Sequence, residues 1–423
     1  MLQLNIINED PKRVIELLRI KNFDAEVLVH EIIELDQKRR ETQKKMDDSL
    51  AEANKLAKEI GILFKSGKGG EAGALKEKSA ELKKGTQAMG VLLDEIIAKL
   101  NEKLILLPNL PHPSVPAGKS EEDNELIESK DFEVTFAFEP VPHWELAKKY
   151  DIIDFDLGAK VTGAGFPFYK GKGARLQRAL INFFLEEGLK AGYSEYQPPL
   201  FVNEDSAYGT GQLPDKDGQM YHMTEDNLYA IPTAEVPITN IYRDVILNPG
   251  ELPIKNVAYS SCFRREAGSY GKDVRGLNRL HQFDKVEIVQ ISYPEKSYET
   301  LEEMRIYVAS LLEKLELPYR VLRLCGGDIS FTSALTYDFE VYSAAQKRWL
   351  EVSSVSNFEA FQSNRMKLRF RDEDGKTQLA HTLNGSALAL PRIVAALLEN
   401  MQSEKGISIP EALRPYTGFD LIN

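Results

Sequence analysis

The sequence contains very little cysteine and no long apolar run. Cys262 and Cys325 are the only cysteines among 423 residues, and neither belongs to a CxxC pair. A zinc site or a disulfide framework is therefore not expected, and both thiols are predicted to be buried. No window approaches the roughly 18 apolar residues of a membrane span, and the N-terminus lacks the basic and then apolar pattern of a secretion signal. We expect a soluble, cytoplasmic protein that does not associate with a membrane.

Two common nucleotide-binding motifs are also missing. The chain has no GxxxxGK[ST] loop and no GxGxxG turn between a strand and a helix, so a P-loop or Rossmann nucleotide site is not supported. At 423 residues the chain is too long for one ordinary core, and its 43% hydrophobic residues can build sizeable interiors. Two domains are expected.

The acidic residues are unevenly distributed. The formal net charge is −12, which by itself speaks against a nucleic-acid partner. Residues 1–110 are balanced, however, with 19 basic and 19 acidic side chains, and the segment 38–84 has 13 basic against 8 acidic ones. A phosphate-binding arm on an acidic body is therefore possible.

The N-terminal quarter has the periodicity of a helical hairpin. From Leu28 to Leu63 apolar and small residues recur in alternating steps of four and three, with a few polar interruptions such as Arg39, and the same pattern returns from Leu75 to Leu100. The interruption at 65–73 contains four glycines, which permit a reversal. The spacing predicts two antiparallel helices that bury their seams against each other. A phosphate-binding arm, a dimerisation coiled coil and a simple spacer all remain open from this segment alone.

The remainder of the chain reads as an α+β domain. Three prolines between Asn109 and Pro116 predict a linker. Beyond residue 125, β-branched and aromatic runs alternate with turn residues, and helical segments at 173–187 and 299–315 separate them. This texture predicts an antiparallel sheet flanked by helices. The expected division is a helical arm at 1–110, a linker at 111–125 and a catalytic domain at 126–423.

One stretch carries an unusual number of arginines. Residues 262–287 read as a strand, a polar glycine-rich loop and a second strand, with Arg264, Arg265, Arg275 and Arg279 near one end. Guanidinium groups match phosphate oxygens in a bidentate way. Surface ion pairs with neighbouring Asp and Glu are the alternative interpretation.

Three motifs together resemble the class II aminoacyl-tRNA synthetases, and more narrowly the seryl-tRNA synthetases. Phe263 to Glu266 with His281 to Phe283 resembles motif 2, 385–392 resembles the strand-to-helix motif 3, and 192–199 resembles motif 1 at the dimer interface. Departures occur at 163–168 and at Leu390-Pro391, although a proline is compatible with the first turn of a helix. With the N-terminal hairpin, the resemblance covers nearly the whole chain.

The resemblance implies roles for a set of ATP-binding residues. Arg264 would bind the α-phosphate, Glu266 the adenine side, and Arg392 the γ-phosphate, while Phe283 would stack on adenine. Glu351 and Ser354 are oxygen ligands suited to Mg²⁺. Arg264, Glu351 and Arg392 are the expected catalytic residues, and the expected ATP-binding set is completed by Arg265, Val352 and Ser353.

The same resemblance implies a serine pocket, a tRNA partner and a second copy of the chain. Taken singly, a polar residue in a strand is more often a surface position. The partners implied are L-serine, tRNA(Ser) and the homodimer, with no DNA, and charging of tRNA(Sec) stays open. The 268–280 loop would meet the acceptor stem and the hairpin the long variable arm. Alternatives are a non-catalytic relative and a ligase with a non-tRNA acceptor. The implied serine-binding residues are Thr233, Ala234, Glu235, Arg264, Glu287 and Ser386.

Overall fold

The computed structural model describes residues 1–132, 136–266 and 275–423. Within these ranges the helices of the chain are α1 Leu4–Glu9, α2 Pro11–Ile20, α3 Glu26–Lys65, α4 Gly73–Leu104, α5 His143–Lys149, α6 Phe155–Val161, α7 Gly171–Lys190, α8 Glu204–Thr210, α9 Glu235–Asn240, α10 Ser297–Lys314, α11 Phe361–Met366, α12 Leu390–Asn400 and α13 Arg414–Thr417. None of the helices in the described ranges is both long and apolar enough to span a bilayer.

The strands are short outside one large sheet. In chain order they are β1 Glu125–Lys130, β2 Ile153–Asp154, β3 Phe168–Tyr169, β4 Ser194–Tyr196, β5 Phe201–Asn203, β6 His222–Met223, β7 Leu228–Ala230, β8 Ile246–Leu247, β9 Ile254–Phe263, β10 Gln282–Ser292, β11 Tyr319–Arg323, β12 Leu335–Ser343, β13 Arg348–Asn357, β14 Arg369–Arg371, β15 Thr377–Leu379, β16 His381–Ala389, β17 Gln402–Ser403, β18 Gly406–Ser408 and β19 Leu421–Ile422.

The chain divides into two compact units. One comprises Met1–Arg19 and Phe23–Pro108, and the other comprises Ile20–Asn22 and Asn109–Asn423. In the first unit, α3 and α4 are joined by a 3₁₀ turn at Gly69–Ala72 and pack along each other. The predicted helical hairpin is confirmed.

The seam of this hairpin follows the heptad register read from the sequence. Every seam position is buried or half-buried, including the polar Thr42 and Thr86, whereas the flanking lysines are exposed. Asp36 is a buried acid beside the seam, and it pairs with Arg39 and Arg40. Burial alone would raise the pKa of Asp36, but hydrogen bonds from Arg39 and Asn8 hold it below its ordinary value. The arm therefore buries apolar side chains along one stripe and keeps most of its charge outside.

The second unit is built on an eight-stranded sheet. Its spatial order is β1-β11-β12-β13-β16-β10-β9-β4, and all neighbours are antiparallel except β9 and β4, which are parallel. The central strands carry Val, Ile and Phe toward helices α7, α10 and α12, and this apolar layer is the main core. The α+β class II sheet with flanking helices, predicted from the sequence, is confirmed.

Both cysteines are free thiols buried in the second unit. Burial raises the pKa of the Cys262 thiol on β9. Cys325 follows β11, and Gly118 passes so close that a Cβ there would lie 2.6 Å from the Cys325 sulfur. The prediction that both thiols are buried is confirmed.

Candidate active site

An open cavity of about 600 Å³ lies over the central strands of the large sheet. Its walls come from β10, β13, β16, the start of α12, the segment after β9 and the segment that leads into α9. Ala234 is instead buried among apolar residues, and the Arg265 side chain is exposed. The predicted site residues that line the cavity are Thr233, Glu235, Arg264, Glu266, Phe283, Glu287, Glu351, Val352, Ser353, Ser354, Ser386 and Arg392.

Three charged residues that are distant in the sequence line the same cavity. Arg264 directly follows β9, Glu351 lies on β13, and Arg392 is in the first turn of α12. Arg392 Nη1 donates to the backbone oxygen of Glu351 at 2.6 Å and lies 3.7 Å from its carboxylate. Pro391 occupies the first turn of α12, where a missing N–H has no helical partner to lose. The arrangement presents two guanidinium groups and a carboxylate to one space.

An aromatic ring lies beside these charges. The Arg264 guanidinium is 5.3 Å from the centroid of the Phe283 ring, and Glu266 accepts a hydrogen bond from Arg279 at 3.0 Å. The backbone N–H of Arg265 donates to the backbone oxygen of Gln219. This bond fixes the backbone of Arg265, whereas the Arg265 side chain is exposed to solvent. This end of the cavity offers a flat apolar face with donors and acceptors around it, as a nucleobase requires.

Oxygen atoms suited to a hard cation lie on neighbouring strands. The Ser354 hydroxyl donates to Asp338 at 2.5 Å, and Asp338 faces Ser354 across the β12–β13 pairing. Burial, and then the nearby Glu351, hold the pKa of Asp338 well above its usual range. The Ser353 hydroxyl is not part of this group, because it donates to the Ser386 backbone oxygen at 2.6 Å. Two carboxyl groups and a hydroxyl therefore lie close together on neighbouring strands, and Glu351 and Ser354 of this group line the cavity.

Another part of the cavity is a buried polar pocket. Glu287 is 2% exposed and lies 2.7 Å from the Lys285 ammonium group, which is itself buried. Asn384 and Ser386, on the adjacent strand β16, donate to the two oxygens of Glu287 at 3.1 and 3.4 Å. Because unpaired charge is costly inside a protein, these partners hold the carboxylate in one orientation.

Glu235 forms the second acid of this pocket. It begins α9, is 5% exposed, and accepts a hydrogen bond from Gln362 Nε2 at 2.6 Å. Burial and the neighbouring Glu287 raise the pKa of Glu235 to about 7, although Gln362 and the positive charges of Lys285 and Arg264 limit the rise. The Thr233 hydroxyl accepts the backbone N–H of Glu235 at 3.3 Å. The pocket therefore contains two carboxyl groups and a hydroxyl with restricted orientations.

Sequence reasoning did not identify three residues of this pocket. Lys285 precedes Glu287 by two residues on the same strand. Side chains two positions apart on a strand share a face, so the sequence could have placed Lys285 beside Glu287. Asn384 precedes Ser386 by two residues, so the same alternation could have placed it in the pocket. Gln362 had no local signal, because its contact with Glu235 joins residues 127 positions apart.

The expected acceptor-stem loop is only partly described. Residues 268–274 lie outside the described ranges, whereas 275–280 are described and Leu277 to Leu280 line the cavity. The departure at 163–168 packs against the second strand of motif 2, since Phe166 stacks on His281 and the Gly165 oxygen accepts the His281 N–H at 3.0 Å. A Cβ at Gly165 would lie 2.5 Å from that ring, so glycine permits the close approach.

Comparison with known proteins identifies the family. Residues 1–111 match the seryl-tRNA synthetase N-terminal domain, and residues 220–401 match the core domain of class II tRNA synthetases for G, H, P, S and T. A curated serine–tRNA ligase from Salinibacter ruber is 53% identical over 99% of this chain and 98% of its own length. The chain belongs to the seryl-tRNA synthetase family. Another relative of this family, the serine–tRNA ligase of Chlorobaculum parvum, is 48% identical over the full length of both chains.

A solved seryl-tRNA synthetase has the same fold. The structure from Pyrococcus horikoshii, complexed with ATP, superposes with a TM-score of 0.92 at 35% identity and covers 100% of this chain and 99% of that one. Class II aminoacyl-tRNA synthetases are ATP-dependent ligases, and this member of the seryl-tRNA synthetase family is an enzyme of that class.

Proposed function

We propose that this seryl-tRNA synthetase activates L-serine with ATP to form seryl-adenylate and then transfers the seryl group to the 3′ end of tRNA(Ser). The observation that carries the proposal is the convergence of Arg264, Glu351 and Arg392 beside a buried pocket that contains Glu235 and Glu287. One part of the cavity suits a triphosphate and the other suits a small zwitterion with a hydroxyl group.

In the first step an oxygen of the serine carboxylate attacks the α-phosphorus. A new P–O bond forms, the bond to the β-phosphate oxygen breaks, and pyrophosphate leaves with its electron pair. Arg264 would stabilise the charge that develops on the α-phosphate, and Arg392 would hold the γ-phosphate. In the second step the terminal tRNA hydroxyl attacks the seryl carbonyl and AMP leaves. Neither step requires a protein nucleophile.

We further propose that Mg²⁺ is bound by Glu351 and Ser354. The donor set fits, because Mg²⁺ prefers oxygen ligands, needs few from the protein, and shares the rest with phosphates and water. The crowding of Asp338 and Glu351 also favours a nearby cation. When bound, the metal would neutralise part of the triphosphate charge, while Ser354 and Glu351 would fix its position on the sheet.

Serine selection is assigned to the buried pocket. An ionised Glu235 would accept hydrogen bonds from the ammonium group of the substrate serine, and Glu287 with Ser386 would bind the substrate hydroxyl. Alanine would leave these buried groups unpaired, so the pocket should reject it strongly. Threonine would be excluded by the pocket wall rather than by lost hydrogen bonds.

The decisive test is exchange of pyrophosphate into ATP with a panel of amino acids. Serine alone should give a strong signal, whereas no signal with serine would contradict adenylate formation and favour a non-catalytic relative. Serylation of bulk tRNA should follow, and exchange without serylation would favour a ligase with another acceptor. The same assay with purified tRNA(Sec) decides whether this second acceptor is charged.

We propose that the hairpin of α3 and α4 binds the long variable arm of the tRNA. Its exposed lysines supply phosphate contacts of the kind that read RNA shape. Replacing Lys44, Lys45 and Lys55 by Glu should weaken aminoacylation and leave serine-dependent exchange at the wild-type level. Deletion of residues 30–100 should have the same effect more strongly, and unchanged aminoacylation after that deletion would show that the arm has another role.

We also propose a homodimer formed through the motif 1 region. Strand β4 is at the edge of the large sheet, and the neighbouring Tyr196, Leu200 and Phe201 expose large apolar side chains. Exposed apolar groups of this kind mark interaction surfaces. Light scattering should give twice the chain mass, and Phe201→Glu should shift the population to the chain mass. Cytoplasmic localisation stays a prediction from the sequence.

A further inference from the structure

A buried pair of ionisable residues lies outside the cavity, between α5 and α12. His143 and Glu399 are both fully buried, and His143 Nδ1 is 2.8 Å from Glu399 Oε1. The other ring nitrogen, Nε2, is 2.9 Å from the backbone nitrogen of Leu277. None of the chemistry proposed above uses this pair.

The hydrogen bonds define the proton position on the ring. The backbone N–H of Leu277 can only donate, so His143 Nε2 must be the acceptor and the proton of a neutral ring must lie on Nδ1. Nδ1–H then donates to the Glu399 carboxylate. Burial would raise the pKa of Glu399, but hydrogen bonds from His143 and Ser343 hold it below its ordinary value. The carboxylate therefore fixes both the ring and its tautomer.

The ring in turn fixes a segment that lines the cavity. Gly276 has a positive φ of 68°, and a Cβ at this position would lie 2.3 Å from His143 Nε2, so the chain passes directly over the ring. Gln346 adds a second link, because it donates to Glu399 at 3.2 Å and accepts from Asn278 Nδ2 at 3.0 Å. The Glu399 carboxylate thus holds the backbone of Leu277 through His143 and the side chain of Asn278 through Gln346.

The segment ends on an arginine of the cavity. The backbone oxygen of Asn278 accepts a hydrogen bond from Arg392 Nε at 3.2 Å. Arg392 and Glu399 are seven residues apart on α12, about two turns, so they lie on similar sides of that helix. A closed path therefore runs from Glu399 through His143 to Leu277 and Asn278, and returns to α12 at Arg392.

We infer that His143 is a positioning residue for ATP binding, which acts by holding the Asn278 carbonyl where it orients the Arg392 guanidinium. This inference rests on the proposed function, since that function assigns Arg392 to the γ-phosphate. Disturbing His143 should affect ATP binding at Arg392 and leave the serine pocket of Glu235, Glu287 and Ser386, which this path of hydrogen bonds does not include, nearly unchanged.

Two nearly isosteric variants separate the two hydrogen bonds of the ring. In His143→Asn the side-chain amide can replace Nδ1 and keep the bond to Glu399, but it cannot reach Leu277. In His143→Gln the amide oxygen can replace Nε2 and keep the bond from Leu277. The KM for ATP in serine-dependent exchange should rise about tenfold in the Asn variant, because a buried N–H loses its partner. In the Gln variant the KM for ATP should stay within about threefold of the wild-type value.

The contrast between substrates distinguishes positioning from simple loss of folded enzyme. The KM for serine at saturating ATP should change by less than about twofold in both variants. Equal changes in both KM values, or a wild-type KM for ATP in a folded Asn variant, would overturn the inference. Absence of exchange in the wild-type protein would instead count against the proposed function. In that case the variants can still be compared by the rise in thermal midpoint that ATP alone produces in each protein.

A third variant covers the outcome in which the His143 variants do not fold. Gln346 is only half-buried, and Gln346→Leu removes the second link to Asn278 while His143 stays in place. A rise of about threefold in the KM for ATP is expected. An unchanged value would overturn the inference even if neither His143 variant could be purified.

Discussion

The hairpin and the active-site cavity use charged residues in opposite ways. In the hairpin, apolar and small side chains fill the seam, and the lysines and most acids face solvent. In the cavity, Glu235, Glu287 and Lys285 are all at most 5% exposed. Exposed charges are stabilised by water, whereas buried charges depend on a few fixed partners. The hairpin should therefore tolerate changes of charge that the cavity does not.

The largest contrast is expected for arginine. Arg264→Ala removes a guanidinium group that no other side chain at this position replaces, and serine-dependent exchange should fall about 10³-fold or more. The midpoint of thermal unfolding should stay close to that of wild type, because Arg264 is only half-buried. Lys78→Ala on the hairpin is the matched control, with exchange at the wild-type rate. Full activity of Arg264→Ala would refute its assigned role.

Lys285→Met tests the buried cation of the serine pocket. Without the ammonium group Glu287 loses its closest partner, and the free energy of unfolding should fall by about 3 kcal/mol. The pKa of Glu235 should rise further above about 7, since Lys285 lowers it in the wild-type protein. Chemical denaturation measures the first effect. Adding Glu287→Gln should recover part of the lost stability, and a double variant no more stable than Lys285→Met would argue against a coupled pair.

Glu235→Gln tests the effect of pH. The folded pKa of about 7 is above the ordinary value of 4.5. The stability linked to this carboxyl is therefore fully present below about pH 4.5 and is lost as the pH rises through 7. At pH 8 the Gln variant should be about 3 kcal/mol more stable than wild type, with little difference at pH 4.5.

Activity should follow the opposite direction for the same group. The ionised form of Glu235 is the one that accepts the serine ammonium group, so kcat/KM for serine should rise with pH through about 7 in the wild-type enzyme. The Gln variant should have low activity without this rise. A pH profile that is identical in the two proteins would exclude Glu235 as the titrating group.

The smallest effect is expected for a charge pair on the hairpin. Lys78 and Glu52 join α4 to α3 at 2.6 Å, and both are exposed. Exchanging the two residues, as Glu52→Lys with Lys78→Glu, should leave the thermal midpoint and the exchange rate unchanged. A clear loss of stability would show that the hairpin depends on this pair, and the contrast with the cavity would then be weaker than proposed.

The same contrast determines what could be read from the sequence. The seam from Leu28 to Leu63 was predictable because its contacts repeat every seven residues. The antiparallel sheet was expected from the alternation of strand and turn residues, whereas the roles of Arg264 and Arg392 were expected only through resemblance to a family, since no local period brings these two residues together. The contacts of Glu235 with Gln362 and of His143 with Glu399 span 127 and 256 residues, so no sequence window contains both partners.

The two buried thiols have a practical consequence for following the hairpin in solution. Cys262 and Cys325 are the only cysteines, both lie inside the second unit, and burial keeps the Cys262 sulfur protonated. Reagents that alkylate thiolates should therefore leave the native chain unmodified. A cysteine introduced at the exposed Ser66, at the end of α3, would then be the unique attachment point for a fluorophore or a spin label, and RNA contact could be recorded at the tip without removing any native residue of the core.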